Sequence, residues 1–188
     1  MNKTTVLFCG SFLENSAQVL AGLLKDERFT VVGVLTTPPA VIKHESHPNP
    51  VQVLAEQQGL AVFTPDQLHD AIMAKIADQI GHFDVLLTAG YGKLLPESWL
   101  VWPTKAALNL HFSALPKYRG ANPAEWALLL GETTTGITLI EMSPEFDTGK
   151  MVAQSLILLA EDDTRETVYG KLYGLGGQVI GEMMARYL

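Results

Sequence analysis

The chain has 188 residues, 47% of them hydrophobic and 18% charged, with a formal net charge of −7. That length suits one domain with a substantial core rather than two, and the acidic balance excludes broad nonspecific attraction to nucleic acid or anionic membrane. No run approaches the roughly 20 consecutive apolar residues of a membrane helix, the start lacks a signal-peptide pattern, and a single cysteine, Cys9, excludes an internal disulfide or a multi-cysteine metal site. The expected setting is the cytoplasm, with Cys9 as a buried strand thiol.

Thr5 to Cys9 reads as a first buried strand ending at Gly10. Glu14 to Lys25 follows as a helix, because Ala17, Leu20, Ala21 and Leu24 recur at helical spacing. Phe29 to Leu35 is a second buried strand. Segment 36–50 places Pro38, Pro39, Pro48 and Pro50 among polar residues and reads as a loop. Val51 to Gln58 is a short helix stopped by Gly59, and Leu60 to Phe63 a brief strand before Pro65. Asp66 to Ile80 reads as a helix with Leu68, Ile72, Ile76 and Ile80 on one face. Asp84 to Thr88 is another apolar strand, and Ala89-Gly90-Tyr91-Gly92 makes a glycine-bracketed turn at its carboxyl end, the edge where open parallel sheets bind ligands. Trp99 and Trp102 are expected to pack a helix end.

Residues Ala107 to His111 read as the end of a strand. Asn122 and Pro123 then read as cap and first turn of a helix stopped by Gly131. Ile137 to Met142 and Met151 to Leu159 form two strands joined through a turn at Asp147. Asp163 and Glu166 open a capping-box-like final helix. That helix carries Gly170, Gly174, Gly177 and Gly181, each costing up to about 1 kcal/mol relative to alanine unless close packing against the sheet offsets it. Apolar runs alternating with helical segments predict a parallel sheet flanked by helices.

The strand–glycine–helix opening invites a dinucleotide-binding reading, but Gly10-Ser11-Phe12-Leu13-Glu14 has one glycine where the phosphate turn needs three. A sharp turn explains Gly10 more simply. Stronger chemistry lies in Asn109-Leu110-His111, with Asp147-Thr148-Gly149 downstream. Positions i and i+2 of a strand share a face, so the amide and imidazole point into one site while Leu108 and Leu110 enter the core. An amide, an imidazole and a carboxylate suit acyl transfer to an amine. The growing oxyanion needs donors, the amine must lose a proton, and a histidine titrates near neutral pH. Asp147 reads equally as the orienting carboxylate or as an ordinary turn former. Lys117, Tyr118 and Arg119 read as a solvated loop or a substrate contact. His44 and His47 are three apart with no carboxylate trio beside them, so no metal site is expected.

The run from Asn109 to Val152, together with Val32 to Thr36, Pro50 to Leu54, Val62-Phe63-Thr64-Pro65 and the Ala89-Gly90-Tyr91-Gly92-Lys93-Leu94-Leu95-Pro96 turn, resembles the 10-formyltetrahydrofolate-dependent formyltransferase family. It is most like the amino-terminal catalytic domain of the methionyl-tRNA formyltransferases. The resemblance implies an α/β fold with a doubly wound, Rossmann-like, mostly parallel sheet. It also implies catalytic roles for Asn109, His111 and Asp147, with Ser113, Ala114, Leu115, Pro116, Tyr91 and Gly92 lining the folate site. The implied cosubstrate is 10-formyltetrahydrofolate without a metal, and the implied acceptor is the amine of methionyl-tRNA or of a small amino sugar. Residues 1–188 would form the catalytic domain, with the family's carboxyl-terminal, barrel-like tRNA-binding domain absent.

The chain departs from the family pattern where His-Pro-Ser becomes His111-Phe112-Ser113 and Ser-Leu-Leu-Pro becomes Ser113-Ala114-Leu115-Pro116. The loop after the second strand, basic and glycine-rich in the tRNA enzymes, has one lysine and one glutamate here, a poor match to a phosphate backbone. A 10-formyltetrahydrofolate hydrolase and a noncatalytic folate-binding domain are the competing readings.

Overall fold

A computed structural model describes residues 3–42 and 45–188. His44, half of the histidine pair weighed above, lies outside the described residues. A seven-stranded sheet has the order β5-β2-β1-β6-β7-β8-β9. It is built from β1 (Thr4–Cys9), β2 (Phe29–Leu35), β5 (Ala61–Phe63), β6 (Val85–Thr88), β7 (Ala106–His111), β8 (Thr134–Glu141) and β9 (Met151–Leu158). The pairings from β5 to β7 are parallel, and β8 and β9 join antiparallel. The mostly parallel, doubly wound expectation holds.

Helices cover both faces, which is why the central strands are apolar throughout. Val6 and Phe8 of β1 and Val85 and Leu87 of β6 face a large core with α1 (Leu13–Leu24), α2 (Pro50–Gln57), α5 (Pro123–Leu129) and α6 (Arg165–Ala185). Leu7, Cys9 and Leu86 face a smaller core with α3 (Asp70–Ile80) and α4 (Glu97–Leu100). Cys9 is fully buried there, and burial pushes its thiol pKa far above the usual range. Trp99, also fully buried, meets Trp102 edge-on at 5.3 Å.

The structure corrects four local expectations. Segment 36–50 is not all loop: β3 (Ala40–Ile42) pairs antiparallel with β4 (Glu45–His47), and the four prolines fall outside that ladder, where they cost no strand hydrogen bond. Helix α3 starts at Asp70 rather than Asp66. The carbonyls of Pro65 and Asp66 instead accept hydrogen bonds from Lys93 Nζ, at 2.6 and 2.8 Å. Asn122 precedes α5 in the left-handed region (φ 58°) and makes no side-chain cap bond. Proline at the first turn removes one of the donors a cap would serve. The cap of α6 is Thr164, in a reciprocal box with Thr167 rather than an Asp163–Glu166 pair.

Asp163 is engaged otherwise. Its carboxylate accepts from Lys171 Nζ at 2.6 Å, from the Ala160 N–H at 2.8 Å and from the Thr167 hydroxyl at 2.8 Å. These donors, led by the Lys171 ammonium, lower its pKa from the ordinary 3.8 to about 2.

The glycines of α6 pack chiefly against another helix. A Cβ on Gly22 of α1 would run into the Gly177 carbonyl of α6, and one on Gly177 would lie 2.5 Å from the Gln18 carbonyl oxygen. The two backbones therefore touch. Gly176 faces the sheet, where a Cβ would sit 2.9 Å from Leu110 Cδ2, whereas a Cβ on Gly170 meets nothing within 4 Å.

Three outcomes follow for stability. Gly177→Ala should lose about 1–3 kcal/mol by overpacking despite better helix propensity, whereas Gly170→Ala should gain up to about 1 kcal/mol, both read from urea unfolding. The folded pKa of Asp163 lies below its unfolded value, so its contribution is complete above about pH 4 and is lost as the pH falls through about 2. Asp163→Asn should flatten the stability–pH curve across that window, measured by denaturation at stepped pH.

Candidate active site

The chain runs outward from β1 through β2 to β5 and then crosses back through α3 to β6 on the other side of β1, which makes the carboxyl ends of β1 and β6 a topological switch point. A cavity of about 620 Å³ opens there, lined by Phe12 after β1, by Thr88 and the Gly90-Tyr91-Gly92 turn after β6, and by Asn109 and His111 of β7. Ala107 of β7 packs in the smaller core. Asn109 and His111 occupy the same face farther along, where the core gives way to the cavity.

Asp147 arrives from the β8–β9 connection. Glu141, the last residue of β8, pairs with Leu108, yet Asp147 reaches His111, so the connection doubles back along β7. Asp147 Oδ1 lies 3.4 Å from Asn109 Nδ2 and 3.4 Å from His111 Nδ1. Its Oδ2 accepts the Gly120 N–H. The His111 and Asp147 side chains are only 7% and 9% exposed. Asp147 has φ 52°, a left-handed conformation that short polar residues tolerate better than most.

On the other side of the ring, His111 Nε2 donates to the Tyr118 carbonyl at 3.1 Å. A carbonyl only accepts, so this nitrogen carries the hydrogen. The Asn109 carbonyl oxygen accepts from the Thr88 hydroxyl at 2.7 Å.

Of the residues expected to line a folate site, Tyr91 and Gly92 border the cavity, and Ser113, Ala114, Leu115 and Pro116 do not. The latter form a braced turn. Ser113 Oγ donates to the Lys117 carbonyl at 2.8 Å. Thr138 Oγ1 donates to the Ser113 carbonyl at 2.7 Å and accepts from the Leu115 N–H and Gln154 Nε2. The turn aims Tyr118 and Gly120 at His111 and Asp147. Lys117 and Tyr118 are anchors for it: their side chains both donate to Glu132 Oε1, at 2.8 and 2.6 Å.

An aromatic wall closes one side. Phe112 stacks on Tyr173 with centroids 3.6 Å apart, and the Phe12 ring centroid lies 5.6 Å from that of the same tyrosine. Gly90, at φ 66°, fits because a Cβ would strike the Tyr173 hydroxyl. Burial pushes the Tyr173 and Tyr91 hydroxyl pKa values well above the usual tyrosine range. The Tyr91 hydroxyl is buried with no hydrogen-bond partner among the described residues.

Sequence reasoning missed Thr88, Gly120 and the Tyr118 carbonyl. The last two act through backbone atoms and leave no side-chain signature. Thr88 did leave a signal, a hydroxyl ending an apolar strand just before the glycine turn. Among the described residues no cluster of three or more His, Cys, Asp or Glu is placed to hold a metal, and no helix is long and apolar enough to cross a membrane.

Comparison with known proteins matches residues 2–184 to the family described as formyl transferase. The methionyl-tRNA formyltransferase of Streptococcus thermophilus is 36% identical over 187 residues, covering 98% of this chain and 59% of that protein. That of Myxococcus xanthus is 35% identical over 190 residues, covering 100% and 60%. The chain thus spans about three-fifths of the length of these curated relatives. Among solved structures, a phosphoribosylglycinamide formyltransferase from Bacillus halodurans superposes with a TM-score of 0.80 at 19% identity, covering 96% of this chain and 93% of that one. A formyltetrahydrofolate deformylase from Pseudomonas syringae gives 0.72 at 20% identity, covering 100% and 63%. These two likenesses establish the shared fold. The family match runs through every strand that frames the cavity, from β1 to β9, and by it the chain belongs to the formyl transferase family.

Proposed function

We propose that this chain transfers a formyl group from 10-formyltetrahydrofolate to a primary amine, with methionyl-tRNA as the acceptor. The observation that carries the reading is one carboxylate oxygen, Asp147 Oδ1, within 3.4 Å of both Asn109 Nδ2 and His111 Nδ1 inside a single cavity. The acceptor rests on curated relatives at 35 to 36% identity that are methionyl-tRNA formyltransferases.

The cavity suits a folate in size, within the usual range of roughly 300–1,000 Å³ for small-molecule sites. Leu94, Leu95, Leu100 and Ile140 offer apolar surface for a flat ring, beside the Tyr91-Gly92 backbone. The bound cosubstrate would supply an activated formyl carbon. When an amine attacks that carbon, negative charge grows on the formyl oxygen and positive charge on the nitrogen. Asn109 has a second Nδ2 hydrogen to donate to the oxygen. His111 presents Nε2–H to the Tyr118 carbonyl and Nδ1 to Asp147 Oδ1. Held by these two partners, the ring shares the strand face of Asn109 and would act on the same developing charge. Asp147 orients the ring and would take the proton the amine loses; a proton is returned to N10 of the folate as the formyl C–N10 bond breaks and tetrahydrofolate leaves.

The assay is release of tetrahydrofolate from 10-formyltetrahydrofolate with methionyl-tRNA or, separately, with a panel of amino sugars. Release that depends on methionyl-tRNA is expected. Preference for an amino sugar would replace the acceptor, and formate release without any amine would replace transfer by hydrolysis. Asn109→Ala, His111→Ala and Asp147→Ala should each lower kcat by about 100- to 1,000-fold with an unchanged circular dichroism spectrum. Near-normal turnover in a folded His111→Ala protein would remove the catalytic assignment.

A further inference from the structure

We infer that Thr88 is a positioning residue that anchors the Asn109 amide oxygen and so holds the amide nitrogen, turned toward Asp147, at the reacting atoms. This rests on the reading of Asn109 as a donor in formyl transfer. The oxygen and nitrogen of a side-chain amide are nearly identical in shape, so only their partners decide which points where. Asn109 sits between a hydroxyl, which can donate or accept, and a carboxylate, which only accepts and so sets which end is the nitrogen. Its Oδ1 accepts from the Thr88 hydroxyl at 2.7 Å, and its Nδ2 donates to Asp147 Oδ1 at 3.4 Å. With the amide reversed, an amide oxygen would face a carboxylate oxygen, two acceptors in opposition.

The Thr88 contact is the shorter of the two and the better anchor. Thr88 is the register partner of Asn109 in the parallel β6–β7 ladder, so the fold places the hydroxyl beside the amide before any ligand arrives. Thr88 is 5% exposed, leaving water little access to compete. Its branched Cβ restricts χ1 and holds the hydroxyl in place. The other acceptors near that hydroxyl are farther away, the Leu108 carbonyl at 3.4 Å and Met142 Sδ at 3.9 Å. With Oδ1 clamped, both Nδ2 hydrogens stay on the Asp147 side, one for the carboxylate and one for the developing oxyanion.

The test is Thr88→Val, which keeps the shape and removes the donor, beside Thr88→Ser, which keeps the donor and removes the methyl. Thr88→Ala replaces the valine variant if that protein does not fold. Using tetrahydrofolate release with the amine acceptor that the wild-type protein uses, Thr88→Val should lower kcat about five- to tenfold, in line with one lost hydrogen bond, at an unchanged KM for 10-formyltetrahydrofolate. Thr88→Ser should restore kcat to within about twofold of wild type. A residue that merely stabilised the strand would shift the melting temperature and leave kcat alone. Wild-type kcat in Thr88→Val, or equal losses in the serine and valine variants, overturns the proposal. The Asn109 side-chain amide resonances, assigned by nitrogen-15 NMR, test the clamp independently of turnover. They should shift in Thr88→Val and stay near wild type in Thr88→Ser, and unchanged resonances in Thr88→Val overturn it. If the wild-type protein transfers formyl to no amine, the reading of the reaction falls, while the NMR comparison still decides the clamp.

Discussion

The Asp147 carboxylate is the joint on which the site depends. It is nearly buried, and a carboxylate removed from water costs several kcal/mol unless donors surround it. Those donors come from separate parts of the chain: Asn109 and His111 of β7, and the Gly120 N–H of the segment leading into α5. The left-handed backbone at Asp147, a conformation costing about 1 kcal/mol or more for a residue with a side chain, is offset by this capture. Each partner is constrained in turn. The His111 ring is gripped on its far side by the Tyr118 carbonyl, and the loop bearing that carbonyl is braced by Ser113, Thr138 and Gln154.

The sheet makes that meeting possible through a change of strand direction at β7. Parallel pairing with β6 brings Asn109 opposite Thr88 and beside the glycine turn. Antiparallel pairing with β8 brings back a connection long enough to fold over the same face. An all-parallel sheet would have needed a helical crossover at this point. The close contact of α1 and α6 through Gly22 and Gly177 belongs to the same construction, because α6 also carries Tyr169 and Tyr173 to the cavity.

Strands of the central sheet were legible because residues on both of their faces are apolar, and β2 matches its expected span from Phe29 to Leu35. The β3–β4 hairpin was hidden because proline density marks a loop, while a short ladder between the prolines has no composition of its own. Asn109 and His111 were legible from period-two spacing, and Asp147 from its turn and the family resemblance. The brace was not legible. Ser113 to Pro116 were expected as cavity wall, yet Ser113 is fully buried and bonded to the Lys117 carbonyl. The long-range partners Thr138 and Gln154 decide that, and no local pattern encodes them.

Phe112 shows how a departure from the family pattern acts at a distance. Phenylalanine takes the position where the family usually has proline, next to His111, and its ring stacks on Tyr173. Proline, with a saturated ring, has no π-face to pair in this way. The Tyr173 hydroxyl in turn occupies the space that a side chain at Gly90 would need. The residue after His111 is thereby linked through one tyrosine to the turn after β6. Aromatic pairs of this kind add about 0.5–1.5 kcal/mol beyond their buried area, enough to hold a wall in place. The pairing therefore shapes the boundary of the cavity, while the Asn109, His111 and Asp147 contacts rest on a separate set of partners.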